Sequence, residues 1–229
     1  PGIINMLSTS IFNKVIGKTH NKIVGVAKNY AVKSSDEFYQ TIGSPFYFFK
    51  PCSGVINATL PHAEPIRVDS HNEVIPEIEL GLMISKTAKN IKERRWRDYI
   101  GGYFLCLDIT DVGELEKDPQ ALALCKGQDT HTPLGNFIHA ADIDDPHNLT
   151  LNLEVNNKPR ISGNTGEMIY RIPKILSMVS SYMTLEQGDM ILTGSPLPPG
   201  RIYSGDHLTA QMFSGDELLD EFSLEVEES

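Results

Sequence analysis

The chain has 229 residues, 40% hydrophobic and 22% charged, a composition that supports a folded core and argues against wholesale disorder. Its formal net charge of −10 disfavours a nucleic-acid partner, because phosphate binding relies on clustered Lys and Arg. No apolar run reaches the length of a membrane span, and three cysteines without Cys-x-x-Cys spacing argue for a reducing compartment and against structural zinc.

In chain order, residues 1–5 are expected to be an expression remnant, with Met6 the natural start. Residues 6–20 lack acids and carry Lys14 and Lys18 among Ile11, Phe12, Val15 and Ile16, which favours a short amphipathic helix over an organelle leader. Residues 1–21 are therefore set apart as an N-terminal segment, and 22–229 are expected to form one domain. Residues 22–27 read as a strand, 28–43 as a polar loop, and 46–49 as an aromatic strand ending at Lys50-Pro51. Gly54, Pro61 and Pro65 then punctuate short strands.

The stretch Val74–Ile84 alternates cleanly. Ile78, Leu80, Leu82 and Ile84 share one face of a strand, and Glu77, Glu79 and Gly81 share the other. Taken alone, the acidic face reads as solvated, since antiparallel sheets commonly wet one side. Residues 102–110 alter that expectation: this run is too apolar for a wet strand, yet it carries Asp108, and an unpartnered buried carboxylate is costly. Three carboxylates, if they converge, make an all-oxygen site suited to Mg²⁺, Mn²⁺ or Ca²⁺.

Asn90 with Glu93 three residues later predicts a capped helix over 90–100, closed by Gly101-Gly102. Residues 111–120 are polar and acidic, 149–155 alternate as a strand, and Asn156-Asn157 and residues 163–166 read as turns. Residues 173–182 form an amphipathic helix with Pro173 in the first turn, and strands follow at 190–193, 207–213 and 217–226. Many short strands with few helices predict an α+β, mainly β fold. Cys106 reads as core, His131 follows the Lys126 segment, and the other six histidines sit in polar surroundings and are expected at the surface.

Glu77-Ile78-Glu79-Leu80-Gly81 followed by Asp108 resembles the fumarylacetoacetate hydrolase family, in particular its acylpyruvase and oxaloacetate decarboxylase branch. The supporting matches are Asn29-Tyr30-Ala31, Phe49-Lys50-Pro51 with Ser53, and the run G-G-Y-F-L-C-L-D over 101–108. Further along come Lys126-Gly127, Pro133-Leu134-Gly135, Met168-Ile169-Tyr170, and Gly188-Asp189 leading to Leu192-Thr193-Gly194-Ser195-Pro196. The resemblance implies a mixed-sheet roll with a few short helices, in which Glu77, Glu79 and Asp108 bind one divalent cation, Mg²⁺ or else Mn²⁺ or Ca²⁺. It further implies Lys126 as a catalytic lysine beside the metal, Lys50 and Thr193 at the substrate pocket, and a homodimer; the location stays open between cytoplasm and mitochondrion.

The chemistry so implied acts on small 2-oxo or acylpyruvate-type carboxylates through a metal-held enolate: acylpyruvate hydrolysis, oxaloacetate decarboxylation or tautomerisation. The alternatives are an isomerase or hydratase of unsaturated dioates, and a family member that has lost catalysis and serves as a binding module. Hydrolytic members carry a His–Glu pair after the Asn-Tyr-Ala segment. Here Lys33 stands at the histidine position, and Asp36 or Glu37 at the glutamate position. Lys33 and Asp36 are thus the catalytic candidates on the lid. A protonated lysine is a poor general base, so hydrolysis is the activity most affected by the change. The family's Thr-Ala-Arg-Asp is likewise replaced by Thr110-Asp111-Val112-Gly113.

Overall fold

The computed structural model describes residues 21–30, 46–118, 120–196 and 200–229. The expected helix over 6–20, Lys33, Asp36 and Glu37 lie outside the described residues. The first half of the chain gives β1 (Ile23–Ala27), β2 (Phe46–Lys50), β3 (Val55–Asn57), β4 (Ile66–Val68), β5 (Val74–Ile84) and β6 (Ile100–Asp111). Two short helices follow, α1 (Val112–Lys117) and α2 (Leu122–Lys126), then β7 (Thr132–Leu134), β8 (Ile138–His139), β9 (Thr150–Val155) and β10 (Lys158–Asn164). The chain continues with α3 (Ile172–Tyr182), β11 (Met190–Leu192), β12 (His207–Ser214) and β13 (Glu217–Glu228). This is the α+β, mainly β class that the alternating segments predict.

Two sheets enclose the core. The larger runs β2-β1-β11-β5-β6-β7-β3, with β8 paired to β6, and mixes parallel with antiparallel neighbours; the smaller runs β10-β9-β12-β13-β4. Ile78, Leu80, Leu82 and Ile84 of β5 meet Leu105, Leu107 and Ile109 of β6 in the main core. Leu151, Leu153, Leu208, Phe222 and Leu224 complete it from the smaller sheet. Helix α3 adds Ile175, Leu176 and Val179, the apolar stripe expected of it. Asp220 of β13 ties the two sheets together, accepting the backbone N–H of Asn136 at 2.8 Å and its side-chain amide at 2.9 Å.

The larger sheet cannot be flat. Four strand-to-strand steps separate β2 from β6, roughly 19 Å in a flat sheet. Nevertheless Lys50 Nζ at the end of β2 lies 2.6 Å from Asp108 Oδ1 on β6, so the sheet curls until β2 faces β6. Glycines make room inside that curl. The Phe48 ring fills the space where Gly25 would carry a Cβ, and the Phe104 ring does the same over Gly81.

Two local expectations need correction. The capped helix over 90–100 is a 3₁₀ helix, Glu93–Tyr99, without a side-chain cap. Asn90 instead takes a left-handed conformation (φ 52°), with its N–H on Ser180 O, while Ile91 N–H bonds Ser180 Oγ. Tertiary partners have replaced the local cap. The turn expected at 163–166 begins later, because β10 pairs with β9 through Asn164 before a 3₁₀ turn at Thr165–Glu167. The polar segment after β6 contains α1, capped by Asp111, whose Oδ1 accepts Glu114 N–H at 3.1 Å. The D-x-x-E spacing of Asp111 and Glu114 was the available signal.

Candidate active site

Strands β5 and β6 pair antiparallel with Glu77 directly opposite Asp108 and Glu79 opposite Cys106. Residues opposite one another in a ladder point to the same face, so all three acids lie on the side away from the main core. That side is the interior of the curl. Its floor is a second apolar cluster that includes Phe104, Cys106, Met83 and Leu192. Glu79 and Asp108 are buried, which overturns the solvated outer face that the strand suggests when read alone.

Two lysines enter the same space. Lys126, the last residue of α2, places Nζ 2.6 Å from Asp108 Oδ2, 2.9 Å from Glu77 Oε2 and 2.6 Å from Thr110 Oγ1. It also lies 4.4 Å from the centre of the Phe48 ring, in cation–π range. Lys50 donates to Asp108 Oδ1 at 2.6 Å and to Ile109 O at 3.0 Å. Each oxygen of Asp108 thus has its own ammonium. Among the sequence candidates, the structure brings together Glu77, Glu79, Asp108, Lys50 and Lys126.

Thr193 sits at the edge of this group, its hydroxyl donated to Leu80 O at 2.7 Å, so it secures the loop after β11 to β5. The next residue, Gly194 (φ 92°), points its N–H at Glu79 Oε2 at 2.5 Å. A side chain there would be strained in backbone and would meet Val26 O and Asn29 Cβ. Asn29 holds the same loop, donating to Thr193 O at 2.8 Å and exchanging bonds with the Tyr170 backbone. Asn29, Phe48, Thr110 and Gly194 are the supporting residues that chemistry-led reading passed over. Asn29 and Gly194 stood within motifs quoted for the family resemblance, which was their signal.

Four of these groups depart from their ordinary proton affinities. Burial pushes Glu79 well above the usual carboxylate range, and the nearby Asp108 and Glu77 charges add to this. Burial alone would raise Asp108 as well, but the Lys126 and Lys50 ammonium groups hold it below its ordinary value. Lys50 is pulled down by burial, opposed by Asp108. For Lys126 burial acts downward but Asp108 and Glu77 outweigh it, so its proton is held more tightly than in water. With all five ionised, three carboxylates against two ammonium groups leave one negative charge, located where Glu79 resists ionising.

A divalent cation fits that deficit. The donor set is three carboxylates, the type hard cations prefer, and the unrelieved charge on Glu79 is what such an ion would neutralise. Among the described residues no three such groups converge closely enough to hold an ion as they stand, and the Lys126 ammonium bonds both Glu77 and Asp108.

His131 does not reach this pocket. It is fully buried, with Nε2 2.9 Å from Arg67 O; a carbonyl only accepts, so Nε2 carries a proton, while the buried Nδ1 has no hydrogen-bond partner among the described residues, as suits a neutral ring. Burial depresses its pKa to about 4. Because the folded-state pKa lies below the unfolded value near 6.5, the unfolded chain takes up a proton first as pH falls. The stability His131 secures above about pH 6.5 is therefore lost between there and about pH 4, by up to ~3 kcal/mol. A His131→Gln variant should lose less stability than the parent between about pH 7 and pH 4.5, measured by urea unfolding. Equal losses would remove His131 from the acid response. His147, expected at the surface, is instead largely buried against Trp96, and its Nε2 accepts the Ile172 N–H that opens α3.

A curled mixed sheet enclosing three carboxylates and two lysines defines a β-roll enzyme with a buried acid-and-lysine pocket. The family model for the fumarylacetoacetate hydrolase C-terminal domain matches residues 20–221, and the chain belongs to the fumarylacetoacetate hydrolase family. It is similar to the mitochondrial oxaloacetate tautomerase FAHD2 of Arabidopsis thaliana, 37% identical over 208 residues, 89% of this chain and 91% of that protein. Among solved structures, yeast ynq8, a fumarylacetoacetate hydrolase family protein, superposes with a TM-score of 0.81 at 26% identity over 95% of each chain. Maleylpyruvate hydrolase from Sphingobium sp. SYK-6, in complex with manganese(II) and pyruvate, gives a TM-score of 0.74 at 28% identity, covering 91% of this chain and 70% of that one. Members of this family are enzymes, and this chain is one.

Proposed function

We propose that this chain is a divalent-metal-dependent enzyme that interconverts keto and enol forms of small 2-oxo dicarboxylates of the oxaloacetate type, as a homodimer. The observation that carries this reading is the register that sets Glu77 opposite Asp108, with Glu79, Lys50 and Lys126 on the same buried face. The tautomerase similarity and the manganese–pyruvate complex of the Sphingobium enzyme support it.

Glu77, Glu79 and Asp108 would hold the cation, which supplies Lewis acidity toward a 2-oxo acid when bound. Adding two positive charges to the site's single net negative one leaves it cationic, which suits an anionic substrate despite the protein's net charge of −10. Lys126 keeps its proton near neutral pH and serves as a positive charge toward the reacting oxygens rather than as a base. Gly194 N–H and the Asn29 clamp fix Glu79 and the loop beside it, so the acid is oriented before substrate arrives.

Tautomerisation needs enolate stabilisation and proton transfer but no activated water. Hydrolysis does need one, and Lys33 at the histidine position makes it the less suited reaction. The test is oxaloacetate enol decay followed by ultraviolet absorbance, with Mn²⁺ and with EDTA, alongside acetylpyruvate cleavage. Metal-dependent enol decay well above the acetylpyruvate rate is expected. Rates equal to buffer in both assays would sink the reading.

A further inference from the structure

We propose that Lys126 is an exchangeable counter-ion that competes with the divalent cation for Glu77 Oε2 and Asp108 Oδ2, whereas Lys50 is a permanent one; this rests on the metal reading above. The two lysines differ in what holds them. Lys50 is in a paired strand, opposite Ile23, with its side chain wholly buried and a second bond to the Ile109 carbonyl. Withdrawing it would leave both its ammonium and Asp108 Oδ1 stranded in the interior. Lys126 ends a five-residue helix whose Leu124 is exposed, and its partner Glu77 is a quarter exposed on its side chain. Its four-carbon stem is flexible.

All three N–H donors of Lys126 are spent, on Asp108 Oδ2, Glu77 Oε2 and Thr110 Oγ1. Two of those acceptors belong to carboxylates that would hold the cation on the reading above. An ammonium and a divalent ion cannot share the same pair of carboxylate oxygens without strong repulsion in a buried site. Cation binding therefore requires Lys126 to release those oxygens, and Asp108 Oδ1 stays with Lys50 throughout. Lys126 thereby sets the affinity for the metal as well as the charge presented to substrate.

The experiment titrates Mn²⁺ by calorimetry into the wild type, Lys126→Met and Lys126→Arg. The methionine variant is expected to bind at least ~10-fold more tightly, and the arginine variant, which keeps the competing charge, no more tightly than the wild type. A second measurement uses the unaltered protein: acylation of Lys126, followed by peptide mass spectrometry, should be at least ~10-fold faster with Mn²⁺ than with EDTA. An amine released from Asp108 and Glu77 on its flexible stem is open to the reagent, whereas one held by all three acceptors is not. Mn²⁺ binding by the wild type with no tightening in Lys126→Met, or labelling unchanged by Mn²⁺, would overturn the exchange alone. Failure of both wild type and Lys126→Met to bind Mn²⁺ would overturn the metal reading with it.

Discussion

An Asp108→Asn enzyme is expected to lose about 10³-fold or more in kcat/KM for oxaloacetate tautomerisation, since on the proposed reading the site loses one of three carboxylates that would hold the cation, together with the charge that both lysines pair with. It should also unfold more easily. Asp108 gives one oxygen to Lys50 and the other to Lys126, and Lys50 has no other carboxylate within the contacts described. Breaking a buried ion pair from one side typically costs about 3–5 kcal/mol, because the remaining charge is left unpaired. Urea unfolding in EDTA reads the stability loss, and a steady-state assay with Mn²⁺ reads the catalytic one. A variant as active as the parent would show that Asp108 does not serve the site.

Glu79→Gln should separate those two effects. Burial and the neighbouring carboxylates already raise Glu79 well above its usual range, so without metal it is the acid that folds most easily in its neutral form. Glutamine reproduces that neutral form and can still accept the Gly194 N–H. Stability in EDTA should therefore stay level or rise, while Mn²⁺ binding and turnover fall about 100-fold or more. The pH dependence has a definite sign. A folded-state pKa raised above the unfolded one gives a contribution fully present below the unfolded value near 4.5 and lost as pH rises through the folded value. In EDTA the parent should lose stability over that rise and Glu79→Gln should not. A glutamine variant that unfolds as readily as Asp108→Asn would refute the assigned charge states.

The contrast between these two acids bears on how much the chain alone discloses. Glu77, Glu79 and Asp108 could be picked out from residue type and strand period, because a period of two assigns faces without any tertiary knowledge. The central strands β5 and β6 and the helix α3 were legible for the same reason. Lys126 was not, since a lysine after an apolar turn reads equally as a snorkelling side chain, and only the family resemblance singled it out. Asn90 and Glu93 carried a capping signal that the fold overrode through Ser180, and His147 looked exposed until Trp96 covered it.

What residue order determined by itself is which side chains share a face: alternation along Val74–Ile84 and Ile100–Asp111 follows from backbone geometry, wherever those strands end up. What only the tertiary structure decided is their company. Pairing Glu77 with Asp108 depends on the register between two strands, and bringing Lys50 to Asp108 depends on a sheet curled across four strand spacings, with glycines at 25 and 81 admitting the rings that line it. Both are long-range arrangements set by packing, and no local pattern encodes them.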